Sequence, residues 1–195
     1  MLICSAACNT RDSTTDSFQN GLPITRFKAG QAAPQISLND LSGNVRTLAE
    51  FKGRVVLINF WATWCAPCVA EMGALERLYQ SFKDQGLVVL GVSGDSDAQF
   101  LAQFVKKSGI TFPILHDARM LMAAEFGVTA FPESYFLDAQ GKFLNVAEPE
   151  SKGKVVRIVS DRRWDSEEFK KMVSELLIDN AHVANSSQTG FTSDL

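Results

Sequence analysis

The sequence lacks a long apolar run, an excess of basic residues and a cysteine-rich pattern, and each absence excludes a class of protein. No stretch approaches the ~20 consecutive apolar residues that a membrane-spanning helix needs. The 195 residues carry 19 basic and 22 acidic side chains, and the resulting net charge of −3 argues against a nucleic-acid partner. Four cysteines are too few for a scaffold held together by disulfides. An apolar content of 46 % is enough for one domain with a well-formed core.

The two ends of the chain predict flanks around a single domain: the first eight residues are apolar and a polar stretch follows them, and the C-terminal end is polar. Residues 1–33 are interpreted as a truncated signal or lipoprotein-like leader followed by a flexible linker. Within the leader, residues 5–8 (Ser-Ala-Ala-Cys) resemble a bacterial lipobox, in which Cys8 would carry the lipid anchor. The alternative is a frayed terminus with incidental cysteines. The domain is expected over residues 34–179, and a disordered polar tail over residues 180–195.

Apolar periodicity predicts strands that alternate with helices, between two hairpins. Strands alternating with helices, followed by an antiparallel hairpin, indicate an α/β domain whose mixed sheet has helices on both faces. The predicted segments are, in order, a hairpin over 36–48, a strand at 55–60, a helix from 66, a strand at 87–93, helices near 97–107 and 120–126 around a strand at 112–115, a hairpin over 134–146, a further strand at 155–159 and a helix near 165–177.

A Cys-x-x-Cys motif, Cys65 and Cys68, stands where a buried strand ends and a helix begins. Unpaired N–H groups and the helix dipole favour a thiolate at that place. Such a pair is either a redox dithiol or half of a zinc site, but a zinc site needs further ligands, and the only histidines are His116 and His182. We interpret His116 as an incidental loop residue. Redox use is therefore favoured, with Cys65 as the nucleophile and Cys68 as the resolving thiol.

The segment from Phe60 to Cys68, Phe-Trp-Ala-Thr-Trp-Cys-Ala-Pro-Cys, resembles the active-site segment of the thioredoxin superfamily. The resemblance covers about residues 34–178 and implies a thioredoxin-like fold, with an extra N-terminal β-hairpin as in the TlpA/ResA/CcmG branch of extracytoplasmic thiol-disulfide oxidoreductases. Asn59 stands where thioredoxins proper carry a buried Asp, and Glu71 stands where that branch tends to have a Glu. The resemblance implies that Glu71 takes the proton of the resolving thiol or tunes the pair; the alternative is a solvated helix residue.

Phe131-Pro132 matches the place where thioredoxin-like folds carry a cis-proline that faces the cysteines. The resemblance implies that this bond exposes the backbone of Phe131 for pairing with an extended substrate. The alternative is an ordinary trans proline at a strand start. Trp64 flanks the nucleophile and is expected to shape the substrate face. The Pro132-Glu133-Ser134 sequence is closest to the Pro-Glu-Thr of CcmG-type members, which favours cytochrome c maturation.

These features predict a monomeric, cofactor-free thiol-disulfide oxidoreductase, a reductase at the periplasmic or extracytoplasmic membrane face. The resemblance implies that a membrane electron donor of the CcdA/DsbD kind reduces it and that it acts on apocytochrome c or another exported protein. A peroxiredoxin-like peroxidase is disfavoured, because Thr63 lies only two residues before Cys65 and no proline precedes it at the required spacing. A Sco-type copper chaperone would need Cys-x-x-x-Cys, one residue longer than the spacing here.

Overall fold

A computed structural model describes the backbone of residues 27–186 and the side chains of residues 27–181. Cys8 with most of the predicted leader, and residues 187–195 of the predicted tail, lie outside the described residues. The strands are β1 (Ser37–Asp40), β2 (Val45–Thr47), β3 (Val55–Trp61), β4 (Leu87–Ser93), β5 (Ile114–His116), β6 (Glu133–Leu137) and β7 (Arg157–Val159). The helices are α1 (Ala66–Phe82), α2 (Ala98–Ser108), α3 (Leu121–Glu125) and α4 (Glu167–Ser186), with 3₁₀ turns at Leu48–Phe51 and Lys83–Gln85.

The strands form one mixed sheet in the order β2-β1-β5-β4-β3-β6-β7. The central strand β3 runs parallel to β4 and antiparallel to β6. Every residue of β3 and of β4 is buried, as their apolar runs predict for strands covered on both faces. The predicted N-terminal hairpin is present as β1 and β2.

Two apolar cores cover the two faces of the sheet, and β3 supplies both in alternation. Val55 and Leu57 belong to the core that also contains the buried faces of α1, α2 and α4. Val56 and Ile58 belong to the second core, which α3 and the segment before β3 cover. This alternation is the period of two that a strand imposes on its side chains. The predicted mixed sheet with helices on both faces is confirmed.

The second predicted hairpin, over residues 134–146, is only partly correct. Its return leg meets β6 at one end, where Phe143 bridges to Leu137 and the next backbone N–H donates to a β6 carbonyl. The rest of that edge pairs with β7 instead. Phe143 is also buried in the second core and stacks on Phe27, with ring centroids 4.5 Å apart, and beyond it Val146 bridges to Val155. The chain therefore returns to the start of β6 only at residues 157–162.

The predicted domain, residues 34–179, is too short at both ends. Phe27 is buried, and the N–H groups of Gly30 and Ala33 donate to the backbone of residues 143 and 141, so residues 27–33 are part of the domain rather than of a linker. Helix α4 runs on to Ser186 instead of ending at 179. Asn180 explains this extension, because its side chain accepts from the N–H of residue 139 and donates to the carbonyl of residue 53. Within residues 27–186, no helix combines the length and apolarity of a membrane span.

Candidate active site

The two cysteines lie in the first turn of α1, immediately after β3. Cys65 is the N-cap residue, with extended backbone, and its Sγ accepts a hydrogen bond of 3.3 Å from the N–H of Cys68. Pro67 occupies the first turn, where the missing N–H costs nothing. The cysteines are joined by a disulfide of 2.11 Å. The junction predicted from the sequence is therefore confirmed, and Cys65 sits at the positive end of a 17-residue helix.

Cys65 and Cys68 differ in solvent exposure. Cys65 retains 7 % of its surface and borders an open groove, whereas Cys68 has 0 % exposure. A sulfur atom from another molecule can therefore approach the first cysteine but not the second. This asymmetry is what disulfide exchange requires of a nucleophile and a resolving thiol.

Asp95 holds the loop between β3 and the cysteines. Its carboxylate accepts from the backbone N–H of Thr63 at 2.9 Å, from the Thr63 hydroxyl at 2.5 Å and from the Ser93 hydroxyl at 2.6 Å. His116 is the last residue of β5, and its Nε2 lies 2.7 Å from the carbonyl oxygen of Asp95. The interpretation of His116 as an incidental loop residue is therefore wrong. Sequence reasoning missed Asp95, although a carboxylate directly after a buried strand was a usable signal.

An apolar groove of about 590 Å³ opens beside Cys65. The exposed ring of Trp64 forms one wall, and its centroid lies 5.6 Å from that of Phe131 on the opposite loop. The Phe131–Pro132 peptide bond is cis, as predicted. The structure thus brings Trp64, Cys65 and Phe131 together. The remaining lining residues are Pro67, Met120, Ala123, Ala124, Val128, Thr129 and Ala130.

Glu71 lies one helical turn after Cys68 and is only 3 % exposed, so the alternative of a solvated helix residue is wrong. Its Oε1 accepts from Asn59 Nδ2 at 2.8 Å. Its Oε2 accepts from the backbone N–H of Arg162 at 2.9 Å and from Trp164 Nε1 at 2.7 Å. Burial raises the pKa of Glu71 from 4.5 to about 7, although these hydrogen bonds oppose the shift. Glu71 can therefore exchange a proton near neutral pH.

Asn59 connects this carboxyl group to β6. Its Nδ2 donates to Glu71 and also to the Ser134 hydroxyl at 3.0 Å, while its Oδ1 is buried without a partner among the described residues. Trp164 packs against Phe169 at 4.9 Å between ring centroids, and its indole N–H also donates to Glu71. Sequence reasoning missed that contact because the two residues are 93 positions apart.

A second buried carboxyl group, Glu133, follows the cis-proline and was not assigned a role from the sequence. It is 0 % exposed and accepts from the Tyr135 hydroxyl at 2.5 Å and from the N–H of Thr129 at 3.3 Å. Arg157 Nη1 lies 3.8 Å away. Burial raises the pKa of Glu133 against the effect of these partners. The contact with Thr129 ties the loop that carries Phe131 to the sheet.

The fold and the site define a thioredoxin-like protein with a redox-active cysteine pair. The model of the AhpC/TSA family matches residues 29–145, more than half of the chain, and the protein belongs to this family. The chain is similar to the thiol-disulfide oxidoreductase ResA of Geobacillus thermodenitrificans, with 34 % identity over 118 residues, which covers 60 % of this chain and 68 % of ResA. It is also similar to the thioredoxin-like protein YneN of Bacillus subtilis, with 41 % identity over 118 residues, 59 % of this chain and 68 % of YneN.

A solved structure supports the same assignment. A protein from Chlorobium tepidum, provisionally described as the thiol:disulfide interchange protein DsbE, superposes with a TM-score of 0.67 at 25 % identity, covering 77 % of this chain and 99 % of that chain. The thioredoxin-like fold with an added N-terminal hairpin is therefore confirmed. The protein is a thiol-disulfide oxidoreductase of the ResA and DsbE type.

Proposed function

We propose that the protein works outside the cytoplasm as a reductase of disulfides in exported proteins. One observation carries the proposal: the accessible Cys65 faces a groove bounded by the cis Phe131–Pro132 bond, while Cys68 is buried beneath it. The groove gives a protein substrate a place to lie against the nucleophile. The buried partner is protected until a mixed disulfide has formed.

The reaction conserves two electrons and two protons. The Cys65 thiolate attacks one sulfur of a substrate disulfide, forms a mixed disulfide and releases the other substrate sulfur as a thiolate, which takes a proton. Cys68 then loses its proton and attacks Cys65 Sγ, which releases the second substrate thiol and forms the Cys65–Cys68 disulfide. The substrate is reduced and the protein is oxidised. An external dithiol restores the reduced pair by the same exchange in reverse.

Glu71 is the group that we assign to the proton of Cys68. The two residues are three apart on α1 and therefore lie on the same side of the helix. A carboxyl group whose pKa is about 7 is divided between its two protonation states at neutral pH, so it can accept the proton and later return it. Its three hydrogen-bond donors hold it in one place for this task.

The groove favours an extended substrate segment with apolar residues beside its cysteine. Trp64 and Phe131 offer aromatic surface on either side of Cys65, and the residues lining the groove carry no charge. The backbone of Phe131 would pair with the segment as an added strand. Apocytochrome c is the substrate that we propose, on the resemblance of Pro132-Glu133-Ser134 to the CcmG type, with a membrane donor of the CcdA/DsbD kind as the source of electrons.

The proposed location rests on the sequence. The first eight residues resemble the tail of an export signal, with Cys8 in the position of a lipidated cysteine. Such an anchor would hold a monomeric domain at the extracytoplasmic face of the membrane, beside an electron donor in that membrane.

The proposal predicts which cysteine captures the substrate in cells. In a bacterium that makes c-type cytochromes, tagged protein with Cys68→Ser should accumulate as a mixed disulfide with an exported cysteine protein. Cys65→Ser should not, because the remaining thiol is buried. Mass spectrometry of the captured species identifies the partner. Capture by both variants or by neither would reject Cys65 as the nucleophile, and capture of cytoplasmic proteins alone would reject the location.

A peroxidase assay on the same preparation separates the alternative reaction. The two cysteines form one disulfide three residues apart, which fits dithiol exchange rather than a single peroxidatic cysteine. Reduced protein is therefore expected to reduce a disulfide-bonded peptide much faster than it consumes hydrogen peroxide. Faster peroxide consumption would favour the peroxidase.

A further inference from the structure

The segment between β6 and α4 contacts the redox centre twice. The N–H of Ser160 donates to the carbonyl of Pro132 at 3.0 Å, on the cis-proline itself. Two residues later, the N–H of Arg162 donates to Glu71 at 2.9 Å. One short turn, residues 160–162, therefore bridges the substrate-facing loop and the buried carboxyl group. The sequence predicted a strand at 155–159 just before this turn and assigned no structure to residues 160–162.

This turn contains a residue in an unfavourable backbone conformation. Ser160 has a φ of +74°, in the left-handed region that residues with a side chain rarely adopt. A backbone in that conformation persists only when its surroundings hold it in place. A contact from the surrounding structure must therefore hold residues 160–162 against Glu71.

The guanidinium of Arg162 provides that contact. Its Nη1 donates to the carbonyl of Asp161 at 2.9 Å, within the turn itself. Its Nε lies 2.9 Å from Glu148 Oε1 and 3.4 Å from Glu150 Oε2. Glu148 is fully buried, and its pKa lies below the usual value despite burial, because Ser151 and Arg162 donate to its carboxylate. The ion pair thus fixes the turn to the preceding loop.

We propose that Arg162 is a positioning residue, whose ion pair with Glu148 holds the 160–162 turn so that its N–H groups fix Glu71 and the cis-proline loop in register. Neither Arg162 nor Glu148 is among the residues that line the groove beside Cys65. The contribution of residues 147–163 to the reaction is therefore to control the proton that Glu71 handles. This inference rests on the role proposed for Glu71. The contacts of Arg162 with Glu148 and with Glu71 are present whatever that role is.

Several other charged side chains lie near Glu71. A polar groove of about 560 Å³ borders Glu71, and its charged lining comprises Arg77, Glu150, Asp161, Arg162, Arg163 and Asp165. Asp161 is an acidic neighbour that raises the pKa of Glu71. On α1 itself, Arg77 is paired with Asp165 at 2.7 Å, and within the part of the chain that the structure describes no hydrogen bond joins it to Glu71. Arg77 therefore provides a matched control in the same groove.

The experiment measures the pKa of Glu71 directly in oxidised protein, by carbon-13 NMR of glutamate carboxyl groups, with the signal assigned through Glu71→Gln. Arg162→Gln and Glu148→Gln should each raise the pKa of Glu71 by about half a unit or more, because the carboxylate loses the N–H of residue 162. The double variant should shift it no further than the larger single change, since both act through one contact. Arg162→Lys keeps a positive charge beside Glu148 and should therefore raise the pKa of Glu71 less than Arg162→Gln does. Arg77→Gln should leave the pKa of Glu71 unchanged.

Each outcome decides the inference. No shift in Arg162→Gln and Glu148→Gln, or an equal shift in Arg77→Gln, overturns it. A downward shift also overturns it, because it would mean that entering water outweighs the lost hydrogen bond. If Arg162→Gln does not fold, Glu148→Gln and Arg162→Lys decide by the same criterion. Because the pKa is read without any substrate, a shift with unchanged exchange rates would reject the role of Glu71 while leaving the positioning role intact.

Discussion

Glu71 is a carboxyl group whose protonation depends on opposing forces. Burial favours the neutral acid, while the donors on Asn59, Arg162 and Trp164 favour the carboxylate. Burial is the larger effect, and the pKa rises to about 7. At this value the group can take up or release a proton at neutral pH, which suits it to the exchange of a buried thiol.

The raised pKa has a consequence for stability. Between pH 4.5 and 7 the folded protein retains the Glu71 proton while the unfolded chain releases it, so the free energy of unfolding falls as pH rises through this window. One pKa unit corresponds to about 1.4 kcal/mol, so the loss is on the order of 3 kcal/mol. Glu133, whose pKa burial also raises, contributes with the same sign.

Glu71→Gln isolates the contribution of this one residue. Urea unfolding of oxidised protein at several pH values should show a shallower fall in the variant than in the wild type between pH 4.5 and 7. Glu133 remains in both proteins, so its effect cancels in the difference. Glu125→Gln, an exposed site on α3, is the control and should leave the pH dependence unchanged. Parallel curves for wild type and Glu71→Gln would contradict the raised pKa.

Among the site residues, those close in sequence were predictable and those joined by the fold were not. Cys65, Cys68 and Glu71 lie within two turns of one helix, so their spacing indicated their proximity. The indole of Trp164 and the backbone of Arg162 reach Glu71 across 93 and 91 residues, and no local pattern announces such contacts. Asp95 binds Thr63 across 32 residues in the same way.

At the scale of elements, the segment 27–33 extends the domain beyond its predicted start. Phe27 lies between the rings of Phe126, Tyr135 and Phe143, with centroid distances of 4.5 to 6.5 Å. Gln31 and Ala32 pair with the stretch at 141–143: the N–H of Phe143 donates to the carbonyl of Gln31, and Ala32 bridges to residue 142. The sequence did not reveal this packing, because a single buried ring leaves no periodic apolar pattern.

Phe27→Ala tests whether this segment stabilises the fold. Removal of the buried ring should lower the free energy of unfolding by about 3 kcal/mol, the lower end of the range for a buried Phe. The matched control is Phe100→Ala on α2, where the ring is 56 % exposed and the expected change is within about 0.5 kcal/mol. Urea denaturation at one pH gives both values. Equal effects of the two substitutions would show that residues 27–33 do not belong to the cooperative unit.

The sheet edge shows why the later half of the chain was harder to predict. The apolar pattern at 142–146 suits a hairpin partner for β6, but the pairing stays at one end of that strand, at Phe143 and Leu144, and Val146 bridges to Val155 instead. β7 pairs with the rest of the β6 edge, and the chain then continues to Ser160 and Arg162. The contacts that reach Glu71 therefore depend on a competition between two segments for one strand, which only the folded structure resolves.

For the whole molecule, alternating strands and helices were sufficient to predict the mixed sheet. The buried strands β3 and β4 and the helix α1 carry strong local patterns, and their parallel arrangement places the first turn of α1 at the end of β3. That arrangement positions Cys65 at the surface of the groove and Cys68 within the core. The division of labour between the two cysteines is thus a property of the fold rather than of the motif.

The most direct test of this account is covalent capture with purified protein. Reduced Cys68→Ser and Cys65→Ser variants are mixed at neutral pH with a disulfide-bonded peptide, and intact-mass spectrometry follows the adducts over time. Because only Cys65 borders the groove, Cys68→Ser should form a stable one-to-one mixed disulfide and Cys65→Ser should remain unmodified. Adducts that form at equal rates on both variants would contradict the account.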